Sequence, residues 1–179
     1  MREAVDQEMA KTRFSGVVLV EHDGAPVIRE ARGHANRSDL IPNEMGTRFG
    51  IASGGKISTA VSIYQLIEQG ILRLGATIGE ILDIPLGRID PAVTVAQLLT
   101  HTSGIPDYFD EENMDDYSSI WDEKPVYTLR SPKDFLPLFS AKEMCFHPGD
   151  RFKYSNSGFV VLGMVLESVT GRPPESRHG

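Results

Sequence analysis

The sequence predicts an α+β fold, with a β-hairpin near the N-terminus and a mainly helical region after it. The hairpin is indicated by the Asp-Gly pair at residues 23–24, which joins two β-rich runs at residues 16–21 and 26–34. Asp-Gly between apolar runs favours the tight turn of a hairpin. The helical region is indicated by two strongly apolar segments, one that begins at Ser53 and one at residues 157–170.

The same patterns divide the chain near residue 50. Residues 1–50 are expected to hold a short amphipathic helix at 2–12 and then the hairpin. Residues 35–46 contain Asn, Pro and Gly and predict a loop. Residues 51–179 are expected to form the mainly helical region, with no internal repeat and no low-complexity segment.

The helix that begins near Ser53 is predicted to be central and buried. Few charges interrupt it before Gln69, and an apolar stripe follows helical spacing, made of Ile57, Ala60, Val61, Tyr64 and Ile67. Gly70 stands where the C-terminal cap of a helix is expected.

Three further segments complete the helical region. Residues 94–100 predict a short helix with Thr94 as its N-cap. Residues 131–140 predict another short helix, with Pro132 in its first turn. Between them the chain shows little periodicity, and the acidic run at 107–122 is interpreted as a solvated loop.

Composition argues against several classes of function. The formal net charge of −7 disfavours nucleic acid as the main partner, because a phosphate-binding surface needs clustered Lys and Arg. The His residues have no metal-ligand spacing, so we expect no metal and no other cofactor. No apolar run reaches the length of a membrane span. The N-terminus has no signal-peptide core, which predicts a cytoplasmic protein or one whose export signal has been removed.

Ser53 and Lys56 form an S-x-x-K motif at the start of the long apolar helix. Residues three apart lie on one helix face, which brings an amine to the hydroxyl. A serine nucleophile needs such a base within hydrogen-bond reach, and the N–H of Ser53 would stabilise a developing oxyanion. The motif alone is common by chance, but its place between an extended segment and a buried helix favours a catalytic role.

Tyr154 and Asn156 form a Y-x-N motif at the start of the second apolar helix. A tyrosine beside a lysine would take the serine proton and return it to the leaving group. The asparagine amide would donate to a substrate carbonyl while its oxygen holds the lysine. The structural alternative is an interface tyrosine followed by a helix cap.

The sequence contains two other candidate nucleophiles, Ser103 and Cys145, for which the support is weaker. His101 lies in a His-Thr-Ser-Gly turn and invites a Ser-His interpretation with Ser103. A packed histidine in a capping turn beneath the active site is the interpretation that we favour. Cys145 is the single cysteine, so it forms no internal disulfide, and we expect a small buried residue there.

With both motifs present, the chain resembles the serine β-lactamase and penicillin-binding protein superfamily. The branch that it resembles most is that of the class C β-lactamases and related esterases. The resemblance covers nearly the whole chain and rests on three segments in the right order, at residues 49–72, 94–108 and 148–172.

This resemblance implies a β-lactamase/transpeptidase-like fold, in which a helical region packs on an antiparallel sheet. It implies that Ser53 is acylated, that Lys56 is its proton partner, that Tyr154 is the general base or proton relay, and that Asn156 contacts the substrate and the lysine. Whether Lys56 or Tyr154 is the base stays open.

The chain also departs from the family pattern. The third motif, K-T-G or H-x-G on a C-terminal strand, is absent before Gly179, and three strands of the family's sheet are absent with it. We therefore expect a fragment of a longer protein. The apolar strand at residues 17–20 would be left with an open edge, so a chain that ends at Gly179 is expected to self-associate through the hairpin.

The function expected is that of a serine hydrolase acylated at Ser53. Its partner would be a small-molecule or peptide substrate, namely a β-lactam, a D-alanyl peptide or a small ester or amide, among which the motifs do not choose. One alternative is a non-catalytic or incomplete penicillin-binding-like module that acts as a scaffold. Another is a sensor that is acylated without turnover.

Overall fold

The computed structural model describes residues 1–110 and 120–171, and the chain divides into two compact units between Ile51 and Ala52. Residues 111–119, which make up most of the predicted acidic loop, lie outside the described residues. Each unit is built from segments that are contiguous in sequence.

The first unit, residues 1–51, begins with a helix and a hairpin. Its first elements are α1 (Arg2–Lys11), β1 (Gly16–His22) and β2 (Ala25–Arg32). The two strands pair antiparallel, and Asp23 and Gly24 between them have φ angles of 50° and 74°. Positive φ at both central residues is the signature of a type I′ turn. The predicted helix and hairpin are therefore confirmed.

Residues 35–46 are not the simple loop that the sequence predicts. β3 (His34–Asn36) and β4 (Ile41–Pro42) pair there as a second small antiparallel sheet. Strands this short show no alternation of apolar and polar residues, so the sequence gives no signal for them. Asn43 is buried and its Nδ2 donates to the backbone oxygen of Arg32 at 2.8 Å, which ties this sheet to the end of β2.

The second unit, which begins at Ala52, is mainly helical. Its helices are α2 (Lys56–Glu68), α3 (Ile78–Ile81), α4 (Val95–Leu99), α5 (Ile120–Glu123), α6 (Pro132–Phe135) and α7 (Asn156–Thr170). Short 3-10 turns lie at Ala52–Gly55, Val126–Thr128 and Leu136–Leu138. The predicted N-cap is confirmed, because the side chain of Thr94 accepts from the N–H of Gln97. The helix predicted at 131–140 is only one α-turn long, since Pro137 has no N–H to continue it.

The core of the second unit forms around α7, which contacts α2, α3, α4 and α6. Eight of the 15 residues of α7 are buried, and the buried apolar ones are Val161, Leu162, Met164, Val165 and Leu166. The helix ends where Gly171 adopts a left-handed φ of 60°. In the part of the chain that the structure describes, no helix is long and apolar enough to cross a membrane.

The prediction that α2 is a buried helix rather than a surface helix holds for only one of its faces. Ile63 and Leu66 are buried, on the side that faces α7, but Ile57 is 70% exposed and Val61 and Tyr64 are each 51% exposed. The apolar residues of α2 occupy two faces, and composition alone does not show that only one of them packs. The end of the helix is as predicted, because Gly70 follows it with a φ of 71°.

Candidate active site

Ser53 lies in the 3-10 turn that leads directly into α2, and it is exposed. The residue before it, Ala52, has a φ of 43°, in the left-handed region that residues with a side chain rarely adopt. Such a conformation persists only where the surrounding structure fixes it, and it is common at functional sites. The turn leaves the hydroxyl of Ser53 open to a substrate and one helical turn from Lys56.

The amine of Lys56 is held between two oxygens. Its Nζ donates to Ser53 Oγ at 3.0 Å and to Asn156 Oδ1 at 2.8 Å. It also lies over the rings of Tyr154 and Phe159, 5.1 Å and 5.8 Å from their centroids. Aromatic faces attract a cation at these distances, so the arrangement fits a fixed ammonium group beside the serine.

Tyr154 approaches the same serine from the other side. Its hydroxyl donates to Ser53 Oγ at 2.9 Å, and its ring packs on the imidazole of His101 with 4.5 Å between the ring centroids. The four residues singled out by sequence, Ser53, Lys56, Tyr154 and Asn156, therefore lie in one connected cluster within the second unit.

Asn156 is the first residue of α7, but it is not the helix cap that the structural alternative predicts. Ser155 is the N-cap, and its side chain accepts from the N–H of Gly158 at 3.1 Å. Asn156 is thus free to use its amide elsewhere. Its Nδ2 donates to Asp107 Oδ2 at 2.9 Å, and its Oδ1 accepts from Lys56.

Asp107 is the residue at this site that sequence analysis misses. The acidic run predicts a solvated side chain there, yet Asp107 is only 6% exposed. It accepts from the backbone N–H groups of Asn156 and Ser157 at 2.8 Å and 3.3 Å. The first N–H groups of a helix have no partner within it, so a carboxylate buried there is satisfied. Little in the local sequence reveals this, because the partners lie 49 and 50 residues further on.

His101 and Ser103 form hydrogen bonds with backbone groups rather than with each other. His101 Nδ1 accepts from the N–H of Ser155 at 3.2 Å, and the hydroxyl of buried Ser103 accepts from the N–H of Ile105 at 3.3 Å. This arrangement fits a packed histidine in a turn below the site rather than a Ser-His pair. Cys145 is only partly buried, whereas the sequence predicts a buried residue there.

Burial lowers the pKa of His101 below its ordinary value of 6.5, and the positive charge of Lys56 lowers it further while Asp107 opposes both. The unfolded chain then binds a proton at a higher pH than the folded chain does. The stability that neutral His101 provides is complete above pH 6.5 and is lost as the pH falls through the lower, folded pKa.

Replacing His101 with asparagine is expected to weaken this pH dependence. Asn tolerates the left-handed φ of 56° that His101 adopts, and it does not titrate. Urea unfolding at pH values on both sides of 6.5 should show a smaller loss of stability at acid pH in His101→Asn than in the unmodified chain. His147→Asn, at an exposed position, is the control, and an equal slope in all three proteins would contradict the prediction.

A cavity of about 390 Å³ lies beside the cluster, between α2 and α7. Lys56 and Asn156 form part of its wall, so the cavity adjoins the serine without including it. The remaining lining residues are mostly apolar or small, namely Ala52, Gly55, Thr59, Tyr108, Leu129, Arg130, Ser131, Pro132, Phe135, Phe159, Val160 and Glu167. A side chain or acyl group of moderate size would fit there.

Two charged residues besides Lys56 line this cavity, Arg130 and Glu167. Burial raises the pKa of Glu167, and the negative charge of Asp134 raises it further. The cavity is thus largely apolar, with a basic group in one wall and a carboxyl group on α7 about 16 Å along that helix from Asn156.

The chain is similar to several known proteins. The sequence profile of the Beta-lactamase family matches residues 1–176. Penicillin-binding protein 4* of Bacillus subtilis (strain 168) is 30% identical over 161 residues, which are 90% of this chain and 34% of that protein. Esterase EstB of Burkholderia gladioli is 30% identical over 178 residues, with 94% of this chain and 44% of that protein covered.

The fold also matches a solved structure of this kind. The crystal structure of a penicillin-binding protein from Bacillus halodurans superposes with a TM-score of 0.86 and 47% sequence identity, over 96% of this chain and 51% of that chain. This chain therefore spans between about a third and a half of the length of these similar proteins.

Proposed function

The chain belongs to the beta-lactamase family, and we propose that it provides the nucleophile of a serine hydrolase that is acylated at Ser53. The family match and the superposition on a solved structure confirm the α+β class and the β-lactamase/transpeptidase-like fold predicted from the sequence. The observation that carries the proposed activity is the position of Ser53 Oγ, which lies 3.0 Å from Lys56 Nζ and 2.9 Å from the Tyr154 hydroxyl.

The proposed reaction has two stages. With Tyr154 as the phenolate, Ser53 Oγ attacks the carbonyl carbon of the substrate and loses its proton to the Tyr154 oxygen, while the backbone N–H of Ser53 stabilises the oxyanion. The bond to the leaving group then breaks, and Tyr154 gives that proton to the leaving nitrogen or oxygen. Water repeats the sequence on the acyl-enzyme and releases a carboxylic acid and free Ser53.

The contacts of Lys56 favour Tyr154 as the base. Lys56 donates to both Ser53 Oγ and Asn156 Oδ1, a pattern that suits an ammonium group, which has three donors and no acceptor. The Tyr154 oxygen lies 2.9 Å from Ser53 Oγ, within reach of the serine proton. Lys56 keeps its proton in this scheme and stabilises the negative charge that moves between Ser53 and Tyr154.

The substrate proposed is an ester, an amide or a β-lactam whose acyl group has an apolar part. The cavity beside Lys56 and Asn156 offers apolar walls at Leu129, Phe135 and Phe159. Arg130 in the same wall would bind a carboxylate or another anionic group on the substrate through its N–H donors. The names of the similar proteins, penicillin-binding protein and esterase, support a β-lactam and an ester as substrates.

The test is covalent labelling of the purified chain with a fluorophosphonate and with a fluorescent penicillin. Intact-protein and peptide mass spectrometry should find one adduct, on Ser53, and none in Ser53→Ala. Ser58→Ala, which removes an exposed serine from α2, is the matched control and should label normally. If neither reagent modifies Ser53 in the folded chain, the proposal is wrong and the scaffold alternative gains support. Labelling without turnover would identify an acylated sensor.

A further inference from the structure

We propose that Asp107 is a positioning residue that fixes the side-chain amide of Asn156 and, through it, the amine of Lys56. The inference rests on the proposed acylation of Ser53 and adds a residue to its machinery. Asp107 belongs to the segment after α4, and its side chain reaches the N-terminus of α7, where it is 6% exposed.

Every described partner of the Asp107 carboxyl oxygens is a donor. Oδ2 accepts from the backbone N–H of Asn156 at 2.8 Å and from its Nδ2 at 2.9 Å. Oδ1 accepts from the N–H of Phe109 at 3.2 Å, and from the N–H and the hydroxyl of Ser157 at 3.3 Å and 3.4 Å. No Lys or Arg side chain forms an ion pair with it within residues 1–110 and 120–171. A buried carboxylate held this way is satisfied by hydrogen bonds alone.

An ionised carboxylate only accepts hydrogen bonds, and this decides how the Asn156 amide is turned. Its nitrogen has to face Asp107, so its oxygen has to face Lys56, 2.8 Å from Nζ. With the amide turned over, its oxygen would meet the carboxylate and its N–H groups would meet the amine. Both of those contacts are repulsive, so Asp107 selects a single orientation of Asn156.

The orientation of the Asn156 amide also affects the position of the amine beside the nucleophile Ser53. Lys56 donates to Asn156 Oδ1 and to Ser53 Oγ, so the acceptor that Asp107 orients is one of the two contacts that place Nζ at the serine. Without Asp107, only Lys56 would orient the amide, so Asn156 would leave this orientation more often and the amine would lose this anchor for part of the time. Acylation would slow even though Asp107 touches neither Ser53 nor a substrate bound to it.

A double-mutant cycle separates this role from simple support of α7. The rate of Ser53 labelling by fluorophosphonate is measured for Asp107→Asn, for Asn156→Ala and for the double variant. Each single substitution should slow labelling about 10- to 100-fold, the range for one lost hydrogen bond to a charged group. The double variant should be no slower than Asn156→Ala alone, because Asp107 acts through Asn156. Losses that multiply would overturn the proposal.

The matched control is Asp134→Asn, which changes a carboxylate that caps a different helix. Asp134 accepts from the N–H groups of Arg130 and Ser131 at 2.9 Å and 2.8 Å, so this substitution also weakens a helix N-terminus. Its effect should appear in urea unfolding and not in the labelling rate of folded protein. An equal loss of labelling in Asp134→Asn and Asp107→Asn would reduce Asp107 to a structural residue and contradict the proposal.

A spectroscopic measurement on the unmodified chain needs neither activity nor a variant. The side-chain NH₂ of Asn156, observed by ¹⁵N NMR, should exchange with water more slowly than a free amide because one of its hydrogens is bonded to Asp107. Rapid exchange would show that Asp107 does not hold the amide. This result stands whether or not Ser53 is acylated, so failure of the positioning role and failure of the proposed hydrolase function are distinguished.

Discussion

Replacement of Lys56 by methionine is expected to slow the labelling of Ser53 by about 10³-fold or more, the scale seen when one member of a cooperating catalytic group is removed. Methionine has a similar length and an apolar stem, so it keeps the packing along the cavity. It removes the donor to Ser53 Oγ and Asn156 Oδ1 and the positive charge beside Tyr154. The measurement is the second-order rate of fluorophosphonate labelling, followed by mass spectrometry.

The pH dependence of the same variant distinguishes the two candidate bases. If Tyr154 is the base, Lys56→Met keeps the group that accepts the serine proton, so part of the labelling rate should return as the pH is raised. If Lys56 is the base, no recovery is expected, because the group that accepts the proton is absent.

The control for this substitution is Lys133→Met, which removes an equal charge from an exposed position on α6. Its labelling rate should match that of the unmodified chain. Normal labelling of Lys56→Met at neutral pH would show that the contact between Lys56 and Ser53 has no part in the reaction.

The sequence predicts best those parts of the site that are encoded locally. Ser53 and Lys56 are three residues apart, so helix geometry alone brings them together once a helix begins there. Tyr154 and Asn156 form a second motif, but their approach to Ser53 needs the packing of α7 against α2, which only the resemblance to a family implies. The roles of these four residues in catalysis remain predictions for the experiments above.

Asp107 and the exposed face of α2 show where local patterns fail. The charge of Asp107 suggests a solvated side chain, but the N–H groups that satisfy it belong to Asn156 and Ser157, far away in the sequence. The apolar residues of α2 predict burial, but a pattern does not say which faces have a partner, and Ile57 and Val61 are exposed. Both errors concern contacts between distant segments, on which local pattern and propensity carry no information.

Substitution of Gly104 by alanine is expected to destabilise the second unit by about 3 kcal/mol or more, from a left-handed φ and a steric overlap together. Gly104 has a φ of 74°, and a Cβ there would overlap the backbone oxygen of Phe146. The two segments cannot easily separate, because the N–H of Cys145 donates to the backbone oxygen of Gly104 at 2.8 Å. Urea unfolding at neutral pH measures the loss.

Gly70→Ala is the matched control, because it isolates the contribution of backbone conformation. Gly70 has a nearly equal φ of 71°, but a Cβ there would meet nothing within 4 Å. Its substitution should therefore cost only about 1 kcal/mol, the penalty of a left-handed alanine. The difference between the two variants measures the overlap with Phe146. If both variants lose the same stability, the segment at Phe146 moves away from the added Cβ at little cost. The turn at Gly104 would then not fix the chain that leads to Tyr154.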